Sequence, residues 1–142
     1  MKHNLMSTIA SLLLLLFLTF HLADDIVRGF EPGGLSNLVV TVLISVVWLY
    51  GTLVLAERRS GYIIMLLGGL LSLGVPVLHM KGKGVGVASG IATSSGGYFF
   101  VWTLIALGVT GFFSVILSVR ALWSPQWGKS RSSNNPNMEG SA

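Results

Sequence analysis

Cysteine is missing from all 142 positions. Its absence excludes disulfides, iron–sulfur ligation, covalent c-type haem attachment and thiol redox chemistry. Charge is nearly as scarce, at 10% Asp, Glu, Lys and Arg, where a soluble domain carries about 25% because its surface must face water. With 52% hydrophobic residues and a mean hydropathy of +0.77, the chain has too little charge to cover a globule. Lipid accepts apolar side chains, so a membrane protein needs far less. The phosphate-loop pattern G-x-x-x-x-G-K-[ST], the H-E-x-x-H zinc motif and the G-x-S-x-G nucleophile elbow are also absent. Nucleotide hydrolysis and the common membrane hydrolases therefore lack their residues. The net charge of +4 does not imply a nucleic-acid partner. Its basic residues are scattered beside apolar segments, as the flanks of membrane spans are.

What is present is four apolar runs. They predict an all-α integral membrane protein, a four-helix transmembrane domain over 1–123 with helices at 5–28, 35–56, 62–78 and 98–120. Each run is near the ~20 residues a helix needs to cross a ~30 Å hydrocarbon core. The alternating ten-residue pattern of a membrane barrel is absent. A cleaved signal peptide is the alternative for the first run, but cleavage after Ala23 would place His21 where a small residue is wanted. Residues 124–142, "SPQWGKSRSSNNPNMEGSA", are polar and proline-broken and are expected to form a disordered cytoplasmic tail.

Lysine and arginine orient the bundle. With the N-terminus inside, Lys2, Arg58, Arg59, Arg120, Lys129 and Arg131 lie on the inner side, and Arg28, Lys81 and Lys83 on the outer. That imbalance predicts both termini in the cytoplasm of a plasma (inner) membrane. Aromatic rings follow the same threading. Trp48, Tyr50, Tyr62, Trp123 and Trp127 are expected at the inner interface, and Phe20, Phe30, Tyr98 and Trp102 at the outer one.

Leucine gains nothing by leaving lipid for another leucine, so small residues and hydroxyls must hold the helices together. Ala106, Thr110, Ser114 and Ser118 recur every four residues on helix four. Helix three offers Gly68, Gly69, Ser72 and Gly74, and helix two a stripe of Asn37, Thr41, Ser45, Thr52 and Ala56. These read as packing seams; the sharper reading is a hydroxyl-lined solute path. Pro76 should bend helix three near its outer end. The short "AERRSG" turn makes helices two and three antiparallel neighbours.

The outer end of helix one is the anomaly. In "FHLADDIVRGFEPGG", His21, Asp24, Asp25 and Arg28 occupy positions i, i+3, i+4 and i+7, so all four project from one face. Gly29 and Pro32 then end the helix. The candidate outer-face site is His21, Asp24, Asp25, Arg28 and Glu31, joined across the bundle by His79, Lys81 and Lys83. Four readings are open. An ion-pair face would have Arg28 reach Asp24 or Asp25, with the lysines answering the remaining acid. A metal site would use His21, Asp24, Asp25 and His79, with Glu31 as a further ligand; imidazole and carboxylate suit zinc, manganese or iron. A b-type haem would sit between His21 and His79. A proton or ion relay would run through the aspartates.

No charged residue lies in the central part of any span, which argues against a charge relay across the membrane. The favoured reading is a non-enzymatic packing or accessory subunit without a cofactor, embedded in the lipid bilayer. It would contact a second copy or a larger membrane complex through its charged outer face. The alternatives are a small oligomeric transporter or channel, and a metal- or haem-binding redox component built on His21 and His79.

Overall fold

Backbone N–H and C=O groups in lipid must be satisfied within the segment, and the α-helix does this along its own length. A computed structural model describes residues 2–29, 34–81 and 96–124. They form four helices: α1 (Lys2–Arg28), α2 (Gly34–Leu53), α3 (Arg59–Lys81) and α4 (Gly97–Leu122). Among the described residues there is no strand. Each helix is long and apolar enough to cross a membrane. Phe30, Glu31, Lys83, Trp127 and the expected tail from residue 125 onward lie outside the described residues.

The helix ends depart from expectation by about a turn. α1 starts at Lys2 rather than residue 5, and α2 stops at Leu53 rather than 56. The early stop has a local cause: Val54 N and Leu55 N both donate to the Tyr50 carbonyl, at 2.9 and 3.3 Å. The ladder slips there, and Arg58 N then closes a turn on the Leu55 carbonyl at 2.9 Å. That same carbonyl lies against the α-carbon of Gly61, where no Cβ fits. α3 overshoots 62–78 at both ends and stays helical through Pro76. Proline removes its own donor, here the one that would serve the Ser72 carbonyl, and its ring crowds that carbonyl, but its fixed φ is compatible with the helix.

α4 is the centre of the bundle, packed against α3 and α1, while α2 lies at the edge, mainly on α3. Its buried positions include Phe100, Leu104, Leu107, Gly111, Ser114 and Ser118, alternating steps of four and three residues as in a helix seam. Ala106, Gly68, Gly69 and Ser72 are buried as expected. Gly69 and Gly111 meet backbone to backbone: a Cβ on either would stand 3.3 Å from the other's carbonyl oxygen. This is the close approach that small residues permit in lipid. Thr110 is only half-buried and donates to the Ala106 carbonyl of its own helix. Gly74 has open space around it and takes no part in a close approach.

Trp48 corrects the expectation of an interfacial ring. It is 2% exposed and lies on Gly68, whose α-carbon has no room for a Cβ beside the indole. Its Nε1–H donates to Ser11 Oγ of α1 at 2.8 Å. Thr52 Oγ1 spends its proton on the Trp48 carbonyl at 2.9 Å, so Ser11 must donate to Thr52 Oγ1 across 2.7 Å. Indole, serine and threonine thus form one closed chain joining α1 to α2. Thr41 and Ser45, by contrast, return their protons to carbonyls of α2 itself.

Candidate metal centre

The end of the bundle opposite the α2–α3 turn collects a second buried polar group from three helices. α1 brings His21, Asp24, Asp25 and Arg28 on one face, the consequence of their i, i+3, i+4 and i+7 spacing. α3 reaches the same level only because it continues past Pro76 to Lys81, which places His79 opposite. The first turns of α4 supply Phe100 and Thr103, both buried.

His21 is 2% exposed and is held on both sides. Its Nδ1 stands 3.2 Å from Thr103 Oγ1, while the Thr103 hydroxyl gives its own proton to the Phe100 carbonyl at 2.9 Å. Thr103 therefore accepts, and neutral His21 carries its proton on Nδ1. Nε2 is left with a bare lone pair, the state in which imidazole binds a metal. That Nε2 lies 3.1 Å from His79 Nε2 and 3.6 Å from Asp25 Oδ2. His79 Nε2 is 3.7 Å from the same carboxylate oxygen. Three ligand atoms thus converge on one point. Without an ion, the His79 Nε2–H donates to His21 Nε2. Nδ1 of His79 is buried and has no hydrogen-bond partner among the described residues.

Phe100, fully buried, floors the cluster. Its ring centroid is 5.1 Å from each imidazole, and the two imidazoles meet edge to face at 4.8 Å. Asp24 is not one of the three donors and accepts from Arg28 Nε at 2.7 Å. The Arg28 guanidinium carbon lies 6.0 Å over the Phe100 ring. Its terminal nitrogen occupies the space that a Cβ on Gly96 would fill. Gly96, at φ 76°, caps the start of α4 in a backbone conformation that glycine adopts readily. Two carboxylates against one guanidinium leave the site net negative while its histidines are neutral.

The triangle of donors suits a divalent ion. Metal–ligand bonds of about 2.0–2.1 Å at tetrahedral angles place neighbouring donors about 3.3 Å apart, and the three separations here bracket that value at 3.1, 3.6 and 3.7 Å. Haem does not fit. Two axial imidazoles, each about 2 Å from iron, stand about 4 Å apart with a porphyrin plane between them. Here the nitrogens are 3.1 Å apart, and Asp25 occupies the space beside them.

Of the residues expected from the sequence, His21, Asp25 and His79 come together, and Asp24 and Arg28 pair beside them. Lys81 is exposed and has no ion pair among the described residues; Glu31 and Lys83 lie outside those residues. Phe100 and Thr103 were missed. Their three-residue spacing on α4 placed them on one face, but an apolar helix gave no sign of which face turns inward. The chain matches no family model, no curated protein and no solved structure.

Proposed function

We propose that this chain is a four-span plasma-membrane protein, both termini cytoplasmic, that binds one divalent transition-metal ion at its outer end. His21 Nε2, His79 Nε2 and Asp25 Oδ2 are the ligands, and Thr103 is the residue that orients His21. The observation that carries this reading is the mutual spacing of the three donor atoms at 3.1, 3.6 and 3.7 Å. Mixed imidazole and carboxylate donors suit zinc, manganese or ferrous iron. Three protein ligands leave at least one coordination position for water or another small ligand. A carboxylate among the ligands offsets part of the ion's charge where surrounding dielectric is low. The lack of charged residues in the middle of the spans favours a site that holds its ion over a path that carries it across.

The test is metal analysis of the protein purified in mild detergent, followed by titration with zinc, manganese and ferrous iron. One ion per chain is expected in the wild type, with binding lost in His21→Ala and His79→Ala and strongly weakened in Asp25→Asn. Equal metal content in wild type and all three variants would sink the proposal.

The reading as an accessory subunit keeps one observation in its favour, the exposed ammonium of Lys81 on the outer rim. Lys81→Glu would then strip a co-purifying partner from the protein or alter its oligomeric state. An unchanged complex by native mass spectrometry would dismiss that role.

A further inference from the structure

α2 and α3 are pinched together near their connecting turn and part above it. At the pinch, a Cβ on Gly51 would collide with the Ile64 side chain. Beyond it, Trp48 lies on Gly68 and the two helices leave a groove of about 320 Å³. Leu43 and Val47 form one wall and Leu67 and Leu71 the other, and every residue lining the groove other than Gly68 carries an apolar side chain. Its rim residues are exposed while its floor is buried, so the groove opens sideways, toward the surroundings of the bundle.

The turn below this groove carries charge. Arg58 and Arg59 are both exposed at the turn into α3, and with Glu57 beside them the turn keeps a net positive charge. Ile64 follows Arg59 by five residues and Leu71 by twelve, so the groove spans from about 8 to about 18 Å above the arginine at 1.5 Å per residue. One leaflet of a hydrocarbon core is about 15 Å deep. A two-part surface results, with guanidinium groups at the headgroup level and, past the pinch, an apolar slot about 10 Å long within the depth that an acyl chain occupies.

We propose that this surface binds one anionic phospholipid, its phosphate on Arg58 and Arg59 and one acyl chain in the groove against Trp48. Guanidinium forks match phosphate oxygens in pairs, and basic sites between spans on the cytoplasmic side recognise lipid headgroups in this way. The groove contributes what a bare basic turn lacks, a shaped seat for the chain. The inference is independent of the metal site at the opposite end.

Trp48 reports on it directly. In a variant whose other tryptophans are changed (Trp102→Phe, Trp123→Phe, Trp127→Phe), the protein is reconstituted in phosphatidylcholine vesicles with a minor share of brominated-chain phosphatidylglycerol. Bromine quenches indole fluorescence on contact. Quenching should exceed that from the same share of brominated phosphatidylcholine. In Arg58→Gln and Arg59→Gln the preference should fall about fivefold per arginine removed. Leu67→Phe, which fills the slot from its rim, should reduce quenching by either lipid. Circular dichroism confirms that each variant keeps its helices. Equal quenching by the two lipids, or a preference that survives removal of both arginines, overturns the proposal. Absence of quenching by any brominated lipid also overturns it, since the groove would then be covered by protein.

Discussion

Two buried polar clusters tie α1 to its neighbours, and they are built on opposite principles. Near the α2–α3 turn, Trp48, Ser11 and Thr52 pass each proton to an acceptor and end on the Trp48 carbonyl. No lone pair there is aimed at another. At the opposite end, His21 and His79 turn nitrogen toward nitrogen at 3.1 Å, with a carboxylate oxygen beside both. A closed chain of donors and acceptors stabilises a fold and has nothing to offer a ligand. A convergence of lone pairs is costly unless a proton or a cation sits among them. The first cluster is read as a fastening and the second as a receptor.

Substitutions separate the two. Trp48→Ala should have the largest effect, about 3–5 kcal/mol of lost stability from the emptied space on Gly68. It should leave metal affinity untouched; denaturant titration in detergent and a metal titration measure the two. Metal itself should act only through the outer end. At a free concentration of 100 times Kd it should raise wild-type stability by about 2.7 kcal/mol and do nothing for His79→Ala, as a thermal melt with and without chelator would reveal. Thr103→Val removes the acceptor that fixes the His21 tautomer and should weaken metal binding about 10–100-fold. A competition assay with a chromophoric chelator reads this, and unchanged affinity would refute the orienting role. Ser11→Ala is the smallest, about 1 kcal/mol, because it strands the Trp48 N–H. If Ser11→Ala altered metal affinity as much as Thr103→Val does, the division of labour between the clusters would collapse.

The clusters also differ in how far they could be read from the chain alone. Four helices of membrane-crossing length were legible, because about 20 consecutive apolar residues have few other uses. Half of the outer cluster was legible too. Histidine and aspartate at the end of a leucine run are conspicuous, and their spacing fixes a common face. Phe100 and Thr103 were not, for a physical reason. In water, a helix announces its inner face by hydrophobic periodicity. In α4, exposed Ile105, Val109, Phe112 and Phe113 are as apolar as buried Leu104 and Leu107, so the period disappears. Only the small residues Ala106, Ser114 and Ser118 marked the seam. Trp48 was misplaced by the same blindness. An aromatic ring within a turn or two of a span's end suits the interface, and nothing local indicates that Gly68 on another helix has been left bare to receive it. Pairings between distant glycine and tryptophan become visible only when the helices are brought side by side.

Pro76 has a mechanical consequence. Below it α3 is clamped on α4 through Gly69 and Gly111, and between that clamp and the segment carrying His79 the helix passes the roomy Gly74 and loses the one rung that would reach the Ser72 carbonyl. His21, by contrast, is bolted to α4 through Thr103. His79 has no such second tie, since its Nδ1 has no hydrogen-bond partner among the described residues. In the metal-bound state proposed above, adjustment to ions of different radius should come from the tip of α3, with α1 and α4 keeping their places.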